Sequence, residues 1–160
     1  MRDRQQVLLQ AIDFINDEAD LLDHGAFQHW LALWHPDGMY VVPVDPATED
    51  FANTLNYALD NQQMREKRVQ RLCSGDAISA VPQARTIRLS GRHHLLSASD
   101  RRVDVRCAQS LWAHRKGQTQ HAVANIHYQL VPQGDSFLIQ QKVVRLLNAE
   151  DYLQMTGYIL

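Results

Sequence analysis

Apolar positions recur at helical spacing in the first quarter of the chain and give way to strand-like runs in its second half. Leu8, Ile12, Ile15, Ala19 and Leu22, widened by Leu9, Phe14 and Leu21, predict a helix over residues 2–23 buried on more than one narrow stripe. Gly25 ends it. Phe27, Trp30, Leu31 and Trp34, spaced i, i+3, i+4, i+7, predict a second helix over 26–34 that meets the first at a tight corner. Pro36 cannot continue that helix and Asp37-Gly38 is a turn dipeptide, so the chain should pass straight into a strand over 39–44. Two tryptophans one turn apart make this junction the expected closure of the core.

Residues 45–53 have turn composition and no period, which predicts an exposed or partner-contacting loop. A short strand over 54–59 and a polar helix over 60–72 should follow, the helix anchored by Met64, Val69 and Leu72. From Arg85 onward β-branched and aromatic residues dominate, around Ile87 and Leu89, then Val103 to Ala108, His121 to Val131 and Phe137 to Leu147. The separators Ser99-Asp100-Arg101, Lys116-Gly117-Gln118 and Gln133-Gly134-Asp135 are short turn formers, so these four strands should form an antiparallel meander. Apolar residues stand on both alternating faces: Val123 and Val131 on one, Ala122, Ala124, Ile126, Tyr128 and Leu130 on the other. The expectation is a sheet covered on one face by the N-terminal helices and on the other by another subunit.

A chain of 160 residues fits one domain over 1–160, large enough to hold a core without staples. Cys73 and Cys107 stand far apart with no C-x-x-C, which reads as a reduced, cytoplasmic protein, although a lone disulfide stays open. Neither is a candidate nucleophile. The charged N-terminus has no apolar leader segment and no apolar run approaches the ~20 residues of a membrane helix. A formal net charge of −2 and scattered arginines give no footprint for nucleic acid.

An ordered set of motifs carries a resemblance. Glu18-Ala-Asp-Leu-Leu-Asp23, Trp30-Leu31-x-Leu33, Asp37-Gly-x-Tyr40, Pro43, Arg68-Val69-x-Arg71-Leu72, Pro82-x-x-Arg85-Thr86 and Lys142-Val143-Val144-x-Leu146-Leu147-Asn148 resemble the small (β) subunit of aromatic-ring-hydroxylating dioxygenases. Together they span nearly the whole chain. The resemblance implies an α+β fold: a cone-shaped, curved, mixed but mostly antiparallel sheet with N-terminal helices on one face, as in the nuclear-transport-factor-2 and scytalone dehydratase group. It further implies a trimeric base for three catalytic large subunits in an α3β3 hexamer. Ser90-Gly91 stands where relatives often carry Ser-Asn, and the 142–148 ending leans toward the benzoate or anthranilate type.

The chemistry of such an oxygenase makes demands that this chain does not meet. A Rieske cluster needs C-x-H and C-x-x-H pairs, but Cys73 precedes Ser74-Gly75 and Cys107 precedes Ala108-Gln109. A mononuclear iron site needs two histidines and a carboxylate on one face. His93 and His94, adjacent in a strand, point to opposite faces. His121 and His127 share a face but lie about 20 Å apart at strand rise, and His24, His29 and His35 are five or six residues apart rather than three or four. The expectation is therefore no catalytic, cofactor-binding or metal residue in this chain, with the Rieske [2Fe–2S] cluster and mononuclear non-haem iron in the large subunit.

The competing reading is a free-standing dehydratase or isomerase on the same cone, recruiting Asp23, Asp37, Tyr40, His93 and His127 as acid–base groups. Each also has a structural reading: Asp23 as a helix-end residue, Asp37 as turn chemistry, Tyr40 as core. The basic helix around Arg65 to Arg71 reads as a solvated face or as a clamp, with Arg68 and Arg71 paired to Glu18 or Asp23.

Overall fold

The computed structural model describes residues 3–74, 84–148 and 158–160. The predicted helix start at Arg2 and the Pro82 of the motif set lie outside them. Helix α1 (Arg4–Asp23) ends as its composition demands. Gly25 adopts φ +71°, and the Ala26 and Gly25 amides reach back to the carbonyls of Leu21 and Leu22, closing the last turn. The buried stripe differs from the expected one: it runs Val7, Ala11, Phe14, Ile15, Glu18 and Leu22. A carboxylate therefore occupies a core position, and Leu9 faces solvent.

Helix α2 is only Phe27–Leu31, and strand β1 begins at Trp34 and runs to Pro43. The expected helix through Trp34 and the late strand start are both corrected. The Ile139 amide takes the Leu33 carbonyl at 2.8 Å, so sheet pairing claims the backbone where the side-chain period alone reads helix. Trp30 and Trp34 still meet, edge to face at 5.5 Å, with Tyr40 completing the aromatic cluster at 6.1 and 6.2 Å. Gly38 serves close approach. A Cβ there would stand 2.7 Å from the Ile139 carbonyl oxygen and 2.9 Å from both the His35 oxygen and the Trp34 ring.

Strand β2 (Asn56–Asp60) and helix α3 (Gln62–Cys73) follow, the helix capped by the Asn61 side chain accepting from the Met64 amide at 3.0 Å. Met64, an expected anchor, is exposed; Val69 is buried and Leu72 partly so. What holds α3 is arginine. Arg65 is buried, stacks on the Trp34 ring at 4.2 Å and donates to the main-chain oxygens of Gly38, Asp60 and His35. Burial pulls its pKa down to about 10 against the opposing pull of Asp60 and Glu66. Arg68 forks onto the buried Asp60 carboxylate at 2.6 and 3.2 Å, not onto Glu18 or Asp23, and Arg71 is exposed. Both acids of the expected clamp are taken by other cations.

Strands β3 (Arg85–Ala98), β4 (Val103–Arg115), β5 (Gln118–Gln133) and β6 (Ser136–Leu146) form the predicted antiparallel meander. The sheet order is β2-β1-β6-β5-β4-β3, with β1 parallel to β6. Bulges at Gly91/His94, where Arg92 has φ 52°, and at Leu95/Ser97 bend β3, and α1 packs within the resulting curve. The face against α1 carries Leu111, Ile126, Tyr128, Leu130, Val144 and Leu146, all in one core. The other face is apolar only in part. The β4 row is polar at Asp104, Arg106 and Ser110, whereas Ile87, Leu89 and Trp112 are 64 %, 62 % and 45 % exposed at one end of the strands. On β6, Arg145 donates to the Pro46 and Thr48 carbonyls at 2.8 and 2.7 Å and fixes the expected loop.

Because nothing around Gly38 yields except main chain and a packed indole, Gly38→Ala should lower stability by about 1–3 kcal/mol. Urea denaturation measures it, and an unchanged midpoint removes the close approach as a requirement.

Candidate functional site

Inside the curve of the sheet, helix α1 presents Glu18 at the centre of the core. Its carboxylate, in a residue 2 % exposed, accepts from the Trp30 indole at 2.9 Å, the Tyr128 hydroxyl at 2.6 Å and the Lys142 ammonium at 2.9 Å. Lys142 is 1 % exposed and sits on the inner side of β6 beside β1, opposite Tyr40 in register. Burial works to raise the Glu18 pKa, but the Lys142 charge and the hydrogen bonds from Tyr128, Trp30 and Lys142 hold it below its ordinary 4.5. Burial lowers Lys142, opposed by Glu18, and raises Tyr128 well above 10, reinforced by the neighbouring anion. The group is an ionised pair capped by two neutral donors. Its carboxylate accepts three hydrogen bonds, each from a different element.

A second polar group lies beside the first. Asp23, at the end of α1, accepts from the Thr86 hydroxyl and the Arg88 amide, each at 2.8 Å, and pairs with the Arg88 guanidinium. Asp23 also borders a cleft of about 570 Å³ lined by Phe27, Thr86, Trp112 and His114.

The residues proposed for acid–base work are not brought together. Asp23 is engaged by Arg88, and Asp37, expected in a turn, lies exposed within β1, where its amide donates to the His35 ring at 3.1 Å. Tyr40 is buried, with its hydroxyl at Leu160. His93 keeps a buried Nε2 with no hydrogen-bond partner among the described residues, and burial lowers its pKa. His127 stands on the other face, in a groove of about 590 Å³ with Arg92, His94, Arg106 and Arg145. Its Nε2 is 4.0 Å from Asp104, and burial lowers its pKa despite that carboxylate.

The sequence reading missed the roles of Lys142, Tyr128 and Arg88, and placed Glu18 only in a motif and as a possible partner of the α3 arginines. A charged residue inside each apolar period was the available signal. Among the described residues no group of three or more His, Cys, Asp and Glu side chains is placed to hold a metal ion. Cys107 is buried, its thiol pushed up to about 12 by burial, and Cys73 is exposed. The donor set among the described residues does not fit an iron–sulfur cluster or a mononuclear iron.

The family model described as "Ring hydroxylating beta subunit" matches residues 17–152. The chain belongs to the ring-hydroxylating β-subunit family. This β subunit is 31% identical over 120 residues to the small oxygenase component of the p-cumate 2,3-dioxygenase system of Pseudomonas putida, covering 74% of this chain and 67% of that one. It superposes on the β subunit of benzoate 1,2-dioxygenase from Burkholderia mallei with a TM-score of 0.73 and 27% identity, over 93% of this chain and 95% of that one. A candidate scytalone dehydratase from Novosphingobium aromaticivorans shares the fold alone, with a TM-score of 0.65 and 10% identity over 90% and 88% of the two chains. The β subunit is thus a small oxygenase component of an oxidoreductase system, built on the expected cone and implying a large partner subunit. The solitary dehydratase reading is not favoured. None of the described helices is long and apolar enough to cross a membrane.

Glu18→Gln leaves Lys142 buried without its counter-charge and should cost about 3–5 kcal/mol at neutral pH. Since the folded carboxyl lies below 4.5, its contribution is full above that pH and is lost as pH falls through the folded value. Chemical denaturation of both proteins across pH should therefore show the gap between them narrowing below 4.5; a gap constant into stronger acid contradicts the assignment.

Proposed function

We propose that this chain, acting as a single domain, is a structural and non-catalytic subunit. It forms a trimeric base that carries three catalytic large subunits in an α3β3 assembly. The observation that supports this reading is chemical closure of the interior. Glu18 accepts from Lys142, Tyr128 and Trp30, Asp23 is engaged by Arg88 and Thr86, and neither has an imidazole partner among the described residues. The outer face offers the opposite. Ile87 lies opposite Trp112 in register, Trp112 opposite His121, and the Trp112 and His121 rings stack at 3.9 Å, giving an apolar row across three strands. Such a row suits burial against another copy of the chain, and cyclic assembly closes the contact on itself.

On this reading the Rieske [2Fe–2S] cluster and the mononuclear non-haem iron belong to the large subunit, and this chain supplies no ligand to either. The assembled enzyme adds both atoms of O2 to an aromatic ring, giving a cis-dihydrodiol. NADH supplies two electrons through a separate reductase, and two protons complete the balance. The setting is the cytoplasmic breakdown of aromatic compounds, with an aromatic acid as substrate class.

Co-expression with a large subunit of the same family followed by size-exclusion chromatography should give one co-eluting complex. The isolated chain should sediment as a trimer at micromolar concentration, and Trp112→Asp should reduce it to monomer with the fold intact. A wild-type chain that sediments as a monomer and elutes apart from the large subunit overturns the scaffold reading.

A further inference from the structure

Residues Tyr158–Leu160 fill the inside of the cone, far in sequence from everything they touch. Ile159 is 2 % and Leu160 1 % exposed, and both belong to the main core. Their backbone is read by three side chains. Arg88 donates to the Ile159 carbonyl, Lys142 donates to the Leu160 carbonyl at 3.1 Å, and the Leu160 amide donates to the Tyr40 hydroxyl at 3.0 Å. That hydroxyl also lies 3.4 Å from the Leu160 carbonyl.

The three receiving side chains are held in place without these residues. Lys142 is positioned by Glu18, Arg88 by Asp23 and Thr86, and Tyr40 by its edge-to-face packing with Trp30 and Trp34. Each cation already has its counter-charge, so removing Tyr158–Leu160 strands no ion. What it uncovers is a Lys142 N–H and an Arg88 N–H beside Tyr40, among the aromatic and branched aliphatic groups of the core. The complementary ligand presents two main-chain oxygens and one N–H, and fills the remainder with branched aliphatic side chains.

We propose that the cone interior is a binding site for a short apolar peptide, occupied within the same chain by Tyr158–Leu160. The site reads backbone through Arg88, Lys142 and Tyr40, and reads side chains by their fit to the aromatic wall. It is distinct from the outer-face row and does not depend on the scaffold reading.

The test uses the chain lacking residues 158–160 and the acetylated tripeptide Tyr-Ile-Leu as probe. The shortened chain should melt below the full chain, and the tripeptide should raise its melting temperature saturably, with one-to-one stoichiometry by calorimetry. Reversed Leu-Ile-Tyr should do neither. Tyr40→Phe in the shortened chain should weaken tripeptide binding about tenfold, the loss of one hydrogen bond. The full chain, its site filled, should give no shift. No saturable effect on the shortened chain, or an equal effect on the full chain, overturns the proposal. If the shortened chain does not fold unaided, refolding with and without tripeptide decides: a yield raised by Tyr-Ile-Leu alone supports the site, and equal yields overturn it.

Discussion

The fold depends on one ion pair buried where the N-terminal helix meets the sheet. Glu18 and Lys142 lie 124 residues apart and meet at 2.9 Å, with Trp30 and Tyr128 donating to the same carboxylate. A charge at that depth is tolerable only when paired and fully hydrogen-bonded, and every bond to Glu18 comes from a different element. The pair fixes the rotation of α1 against the sheet, the position of α2 through the Trp30 indole, and the alignment of β5 and β6 through Tyr128 and Lys142. Apolar packing tolerates several arrangements of similar volume, whereas a carboxylate with three donors tolerates one.

A carboxyl group useful as a base needs a lone pair facing a chamber and a pKa near the working pH. Here the central carboxylate is driven the other way, held ionised and below its ordinary range by the ammonium and hydrogen bonds around it. The remaining N–H groups of Lys142 and Arg88 meet the Leu160 and Ile159 oxygens, and the Tyr40 hydroxyl accepts from the Leu160 amide. Two further features lie on the outer face. One is the Ile87, Leu89 and Trp112 row; the other is the groove where Arg92, Arg106 and Arg145 gather.

Much of the architecture was legible in the sequence because it is encoded locally. The meander follows from strand-forming runs with Lys116-Gly117 and Gly134 at the turns, and the end of α1 follows from Gly25. The parallel β1–β6 pairing was not legible, because the partners lie about a hundred residues apart and neither strand's period names the other. The same pairing explains Trp34: its spacing from Trp30 imitates a helix, but Ile139 takes the Leu33 carbonyl and the chain leaves the helix early. The α3 clamp was misassigned for an electrostatic reason, since Glu18 and Asp23 are already neutralised and Arg68 turns to Asp60. The polar centre left a readable trace, a glutamate inside an apolar helical stripe and a lysine inside an apolar strand. Three residues at positions 158–160 carry no period that betrays their burial.

A double-mutant cycle on Glu18 and Lys142 tests the central claim most directly, using Glu18→Gln, Lys142→Met and the two together, with unfolding free energy as readout. Each single change strands a buried partner, while the double change removes both charges. The two single losses should therefore sum to about 2–3 kcal/mol more than the loss in the double variant. Losses that add to within about 0.5 kcal/mol would mean that the two charges do not depend on each other, and the fold would have to be organised around something else.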